Sequence, residues 1–342
     1  MRVIKGTAKA VAAAILSVVI LSIIMSFYSL QPVHIENEKG NTDYVWPANS
    51  VWIKASEGIS WGKFDENGFN NLENVDNPDI IVLGSSHMEA CDVLQNQSTA
   101  YLLGEKLKNK YTVYNMGISG HQFYKICQYL PANLELFVYT PKVVILETIL
   151  VNLQTEKVDE VLAGTVEHTP SHSTGLVAAL QRIPFLRALY RQVDLGLLEM
   201  FWPTVNDAVY DNKEELAEHE EIVDENAYEE LFKYLFEIEE KYKTQIIIAY
   251  HHTGSINEDG TIGFTSGEKL EMFEKYANKY NIDFVDMTPH FEDMYYKEHH
   301  VAHGFATGKL EAGHMNKFGH AALASALYDK IISLEEGGII CQ

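Results

Sequence analysis

The sequence predicts an α/β fold, a three-layer α/β/α sandwich built on a mostly parallel five-stranded sheet, with one transmembrane helix before it. Five short aliphatic runs have the composition of strands buried on both faces. Helical patterns separate these runs, and strands that alternate with helices favour parallel connections. A long apolar run at the amino terminus predicts the transmembrane helix.

The apolar run covers residues 10–30, and Lys9 is the charge nearest to it. A run of about twenty apolar residues is enough to cross the hydrocarbon core of a bilayer. Basic residues precede the run and acidic residues follow it, so the positive-inside rule places the amino terminus in the cytoplasm and the remainder outside. A cleaved signal peptide is the alternative, although Ser26-Phe27-Tyr28-Ser29 is a poor cleavage site. We expect residues 1–31 to form the cytoplasmic tip and anchor of a single-pass membrane protein.

Residues 32–77 show no sustained periodicity and predict a stalk that becomes an edge segment laid on the next domain. We expect that α/β domain over residues 78–342, with a helical insertion at about 158–222. The aliphatic runs predict strands at 80–83, 111–114, 142–147, 245–250 and 282–286. Helices are expected at 98–107, at 122–129 before Pro131, after Asp224, through 270–280, and from Asn316 onwards.

The formal net charge is −22 at pH 7. A surface this acidic repels phosphate backbones, so we expect no nucleic-acid partner. The three cysteines, Cys91, Cys127 and Cys341, are too few and too scattered for a disulfide framework or a zinc site.

Two distant motifs carry residues suited to chemistry. Gly84-Ser85-Ser86 follows the first strand, at the end where open α/β sheets bind ligands, so a serine there can be a nucleophile. Late in the chain, Glu311-x-x-His314 places a carboxylate three residues before a histidine at the start of a helix. Read alone, the serine turn could equally be a structural turn whose hydroxyls cap a helix.

This order, serine early and acid-x-x-His late, resembles the SGNH (GDSL-type) hydrolase family. The resemblance covers four blocks between about Asp79 and Leu334, and it implies a flavodoxin-like sandwich and a serine-dependent esterase or acyltransferase. It makes Ser86 the nucleophile, His314 the general base and Glu311 the acid that orients it. It also implies an oxyanion hole that consists of the Ser86 and Gly120 N–H groups and the Asn152 side chain.

The sequence departs from the family pattern at several positions. Ser85 stands where the family has Asp, and Glu311 replaces an Asp. The third block has neither a glycine nor an Asp beside Asn152. A Ser–His dyad without Glu311 is therefore an open alternative.

Histidine-rich stretches raise the alternative of a metal site. His251-His252 and His299-His300-x-x-His303 lack a His-Glu-x-x-His pattern. Adjacent histidines on a strand also point to opposite faces, so both rarely bind one ion. We expect no metal and no cofactor, and we expect His87, His251 and His252 to line the substrate cleft.

The resemblance and the predicted anchor together imply the substrate class. An extracellular, anchored member of this family resembles proteins that add or remove O-acetyl groups on cell-surface polysaccharides, so an acylated carbohydrate or other ester is the expected substrate. The alternative is a non-catalytic accessory protein that keeps the fold. It would bind a polysaccharide or a membrane-bound acyltransferase, with the apolar stretch 176–201 as the docking segment.

Overall fold

The computed structural model describes residues 2–28, 30, 32–55, 57–108, 110–167, 183, 185, 223–264, 267–306 and 310–340. Most of the expected insertion at 158–222, including nearly all of 176–201, lies outside the described residues. The chain divides into two compact units, and every site described below lies in the second, which comprises residues 34–171 and 223–342.

The amino-terminal helix α1 spans Arg2–Tyr28. Within it, Lys9–Ser26 has a mean hydropathy of 2.3 and is not buried by the rest of the protein. By length and composition this helix could cross a membrane, and a signal sequence would show the same features.

Residues 34–77 pack on the α/β domain through two antiparallel hairpins. Their strands are β1 (Ile35–Glu36), β2 (Tyr44–Val45), β3 (Val51–Lys54) and β4 (Ser60–Lys63). Trp52 and Phe64 are fully buried and cluster with Trp46 and Cys91, so the segment has a small core of its own against the domain. A buried ion pair also joins Asp43 of the segment to Lys125 at 2.6 Å.

Five parallel strands form the central sheet, as the sequence predicts. The strands after β4 are β5 (Ile80–Leu83), β6 (Val113–Asn115), β7 (Val143–Thr148), β8 (Gln245–Tyr250), β9 (Ser255–Ile256), β10 (Ile262–Gly263), β11 (Asp283–Asp286), β12 (His303–Gly304) and β13 (Leu310–Met315). The sheet order is β11-β8-β7-β5-β6, with all pairs parallel. This is the flavodoxin-like order, in which ligands bind at the carboxyl ends of the strands.

Helices cover both faces of the sheet. They are α2 (Ser86–Glu89), α3 (Thr99–Leu107), α4 (Phe123–Leu134), α5 (Thr155–Ala163), α6 (Glu225–Tyr242), α7 (Glu268–Tyr280), α8 (Thr288–Asp293) and α9 (Lys317–Glu336). Alternate strand residues face opposite layers: Ile81 and Leu83 pack with α4–α7, whereas Ile80 and Val82 pack with α3, α8 and α9. Burial on both faces explains the uninterrupted aliphatic runs.

The expected end of a helix before Pro131 is wrong. Helix α4 continues through Pro131 to Leu134. A proline inside a helix leaves the carbonyl four residues earlier without its usual donor. Here the Tyr234 hydroxyl of α6 donates to the Cys127 carbonyl at 3.4 Å, which supplies a replacement for that bond.

Candidate active site

Ser86 lies at the carboxyl end of β5, where the chain turns sharply into α2. The Ser85 hydroxyl caps this short helix by accepting from the His87 N–H at 3.4 Å. Ser86 is the first helical residue and is half-buried. A β-carbon on Gly84 would lie 2.7 Å from a Glu147 carboxylate oxygen, so the turn requires glycine there.

His314 meets Ser86 although the two are far apart in the sequence. The His314 Nε2 atom lies 3.0 Å from the Ser86 Oγ atom. His314 is on β13, which pairs with β12 in an antiparallel ladder. Next along the chain, Asn316 caps α9 by accepting from the Phe318 and Gly319 N–H groups, which fixes the end of this strand.

The carboxylate beside His314 comes from Glu57, in the loop between β3 and β4. Its Oε1 atom accepts from His314 Nδ1 at 2.8 Å, and its Oε2 atom accepts from the His314 backbone N–H at 2.8 Å. The resemblance assigns this position to Glu311, whose side chain lies outside the described residues. Reasoning from sequence missed Glu57 because no local motif links residue 57 to residue 314.

A second carboxylate and a lysine complete the surroundings of His314. Asp92 is buried, with one oxygen 3.5 Å from His314 Nδ1. Lys54 of β3 forms an ion pair with Asp92 at 2.6 Å. The lysine balances one of the two negative charges, so His314 faces a net charge of about −1.

The surroundings shift the pKa of His314 upwards. Burial alone would lower it, but the hydrogen bond that His314 donates to Glu57 and the charge of Asp92 outweigh this effect and raise the pKa above its usual 6.5. For Glu57 the effects have the opposite sign. Burial alone would raise the pKa of this carboxyl group, but its contacts with His314 outweigh burial and lower the pKa below its usual value. The carboxylate thus stays ionised and favours the imidazolium.

His251 lies behind the turn that carries Ser86. It is fully buried, and its Nε2 atom lies 2.9 Å from the Glu147 Oε1 atom. The other Glu147 oxygen accepts from the Ser85 N–H at 2.7 Å. The His251 Nδ1 atom lies 3.2 Å from His303 Nε2. This buried network holds the turn that carries Ser86. The assignment of His251 to the lining of the substrate cleft stays a prediction.

His252 and His87 differ in their surroundings. His252 is half-buried, and its Nδ1 atom contacts the Thr253 carbonyl at 2.8 Å. His87 packs edge-on against His251, with ring centroids 4.7 Å apart. Its Nδ1 atom accepts from the Met315 N–H at 3.1 Å. One hydrogen bond therefore joins the neighbour of Ser86 to the neighbour of His314.

Within the part of the chain that the structure describes, two groups of side chains have the composition of metal sites, but neither fits an ion well. In the first, His87, His251 and His303 offer ring nitrogens within 4.8 Å of one another. Because His87 Nδ1 accepts a hydrogen bond, the neutral ring carries its proton on Nε2, which then has no lone pair for a metal.

The second group consists of Glu57, Asp92 and His314. Here the Lys54 ammonium already forms an ion pair with Asp92, and His314 Nδ1 is hydrogen-bonded to Glu57. A cation at this position would be repelled by the lysine and would compete with the histidine proton.

Two backbone N–H groups at the carboxyl edge of the sheet have no acceptor among the described residues. The N–H groups of Ser86 and Gly120 donate to none of the other described residues. Gly120 has φ +86°, a conformation that favours glycine. The loop before it is tied to α2, because Ser119 donates to the Glu89 carboxylate through both its N–H and its hydroxyl.

Asn152 follows β7 at the same edge of the sheet as Ser86 and Gly120. Its backbone carbonyl accepts from the Tyr124 hydroxyl of α4 at 3.4 Å. Two residues later, the Gln154 N–H donates to the same hydroxyl at 2.9 Å. These contacts fix the loop, and the assignment of the Asn152 side chain to an oxyanion hole stays a prediction.

Substitutions of His87 test whether this residue positions His314 or contacts the substrate. His87→Leu leaves the Met315 N–H without an acceptor, and we expect kcat to fall about 10- to 100-fold through displacement of the adjacent His314, with little change in KM. His87→Asn places an amide oxygen near the position of Nδ1 and should restore most of kcat. Steady-state kinetics on a small ester test this; equal losses in the two variants would contradict the positioning role.

Comparison with known proteins identifies structures of similar fold. The chain matches no protein-family model and no curated protein. An acetyl xylan esterase, AlAXEase, is similar at 16% identity and a TM-score of 0.38, over 74% of this chain and 99% of that chain. An acetylxylan esterase from Geobacillus stearothermophilus is similar at 16% identity and a TM-score of 0.37, over 74% and 93%. A GDSL-like lipase from Bacteroides thetaiotaomicron is similar at 12% identity and a TM-score of 0.34, over 74% and 87%.

Proposed function

We propose that this protein is a serine-dependent ester hydrolase of the SGNH type, with Ser86 as nucleophile, His314 as general base and Glu57 as the orienting acid. The observation that carries the proposal is the continuous chain of contacts from the Ser86 hydroxyl through the His314 ring to the Glu57 carboxylate. A nucleophile, a base within hydrogen-bond reach and a third group that orients the base are the signature of covalent acyl transfer.

The reaction follows from these contacts. The Ser86 oxygen attacks the ester carbonyl while His314 Nε2 takes the hydroxyl proton. The tetrahedral intermediate collapses as His314 returns this proton to the leaving alcohol, leaving an acyl-serine. Water, or a sugar hydroxyl if the acyl group is transferred, attacks the acyl-serine in the second half of the reaction. Glu57 stabilises the imidazolium that forms in each half.

The Ser86 and Gly120 N–H groups are suited to stabilise the tetrahedral oxyanion. Both lie at the carboxyl edge of the sheet and lack other described acceptors. Removing one such donor typically costs about 3 kcal/mol of barrier. The Asn152 amide is the proposed third donor.

The proposed substrate is an O-acylated glycan outside the cell, with an O-acetyl group as the acyl group. The apolar helix α1 supports a membrane anchor, and the positive-inside rule supports an external domain. Transfer is part of the same proposal, because an acyl-serine can pass its acyl group to a sugar hydroxyl instead of water. A membrane-bound acyltransferase is a proposed partner.

The full chain purified in detergent and assayed with p-nitrophenyl acetate tests the proposal. We expect saturable hydrolysis that an active-site serine reagent abolishes. Wild-type protein that hydrolyses this ester no faster than the Ser86→Ala variant would reject the esterase and favour the accessory-protein alternative.

The raised pKa of His314 predicts the pH dependence of activity. Only the neutral imidazole can accept the Ser86 proton, so kcat/KM should rise with pH, with a midpoint above 6.5. Glu57→Gln removes the charge that favours the imidazolium and should shift this midpoint to lower pH. The stability that the His314–Glu57 pair adds should be full between about pH 4.5 and 6.5. It should be lost as pH rises through the raised pKa of His314 and as pH falls through the lowered pKa of Glu57. A midpoint below 6.5 in the pH profile of wild-type protein would contradict this assignment.

A further inference from the structure

The hairpin that supplies Glu57 has two chemically different faces. Its inner face carries Trp52 and Ser60, both fully buried against the domain. The outer face carries Trp61, which is 57% exposed, with Ile53 directly opposite it on β3. Val51, which is 51% exposed, continues this face along β3.

This outer face adjoins the catalytic rim. Ile59 follows the Glu57 loop and is 70% exposed. Trp61 is four positions after Glu57, so their Cα atoms lie within about 14 Å of each other. Gly58 packs against the Asp92 carbonyl and the Phe305 ring, which seats the loop firmly on the domain.

The size and composition of the face favour a small, flat occupant. A stable protein interface buries about 800 Å² per partner from some 20 to 30 residues, far more than four side chains offer. Interfacial membrane attachment uses several basic side chains beside the apolar ones. This face carries one lysine, Lys63, which lies opposite Val51. An exposed indole instead presents a flat ring with a negative face, which attracts the weakly positive C–H groups of a sugar ring.

The net charge of the protein indicates which class of polysaccharide it can bind. The net charge of −22 disfavours anionic polysaccharides and anionic lipid surfaces alike. A neutral chain of pyranose rings carries no such penalty. It can lie along an apolar strip while one of its substituents reaches the adjacent catalytic rim.

We propose that the outer face of the β3–β4 hairpin, formed by Val51, Ile53, Ile59 and Trp61, is a subsite for a neutral polysaccharide whose O-acyl group reaches Ser86. This inference rests on the proposed esterase function for its catalytic part. Binding of the polysaccharide itself does not depend on catalysis.

The test compares a polymer with a small ester, using the full chain in detergent. Trp61→Ala should raise KM for acetylated xylan about tenfold and leave kcat/KM for p-nitrophenyl acetate within twofold. The matched control is Tyr139→Ala, because Tyr139 is 72% exposed and precedes β7, at the opposite edge of the sheet. This control should leave the kinetic constants for both substrates unchanged.

Electrophoretic mobility in gels that contain deacetylated xylan measures polysaccharide binding independently of catalysis. Retardation of wild-type protein that Trp61→Ala abolishes supports the subsite even if the protein shows no esterase activity. An unchanged KM for acetylated xylan in Trp61→Ala, or equal losses on both esters, would overturn the inference. So would retardation in the gel that Trp61→Ala leaves unchanged.

Discussion

Ser86→Ala is expected to lower kcat/KM on p-nitrophenyl acetate by about 10⁴-fold or more. The substitution removes the atom that forms the acyl bond, and what remains is the stabilisation supplied by backbone donors and substrate binding. Its effect on folding should be small, because Ser86 is only half-buried and the cap of α2 is the Ser85 side chain.

Ser85→Ala is the matched control, since it tests which of the two serines attacks. It removes a helix cap worth about 1 kcal/mol and leaves the Ser86–His314 contact in place. We expect its activity to stay within about fivefold of wild type. Loss of activity in Ser85→Ala with retention in Ser86→Ala would reverse the assignment.

Glu57→Gln is expected to lower kcat about 10³-fold with little change in KM. Both Glu57 oxygens accept hydrogen bonds from His314, one from Nδ1 and one from the backbone N–H. An amide can accept only one of the two and turns a donor towards the other. The imidazole then adopts the wrong orientation or tautomer, which in serine hydrolases lowers kcat by up to about 10⁴-fold.

Two further variants locate the acid. Glu311→Gln should stay within about twofold of wild type, because the carboxylate described at His314 Nδ1 is that of Glu57. Asp92→Asn should have an intermediate effect, since Asp92 lies 3.5 Å from the same nitrogen and is paired with Lys54. A large loss in Glu311→Gln with normal activity in Glu57→Gln would restore the acid that the sequence motif implies.

The strands of the central sheet could be predicted because their signal is local. The run Ile80–Leu83 is buried on both faces, so each of its residues has to be apolar. The helix α9 was predictable from Asn316 for a similar reason, because the side chain that caps a helix sits within three residues of the groups it binds.

The course of α4 could not be predicted from its own residues. Pro131 ends a helix when the freed carbonyl has no donor, and here the donor is Tyr234, which is about a hundred residues away in the sequence. The same limit applies to Glu147 and His251, which meet only because β7 and β8 are adjacent strands.

By itself the sequence determined the α/β layering, the apolar amino-terminal helix, and the local motifs that hold Ser86 and His314. Each of these depends on residues only a few positions apart, through burial, periodicity or capping. The tertiary structure alone decided that Ser86 and His314 lie 3.0 Å apart, and that Glu57, from a distant hairpin loop, meets the imidazole. Such contacts join segments whose separation along the chain is set by how the strands pair, and a linear pattern of residue types does not encode that distance.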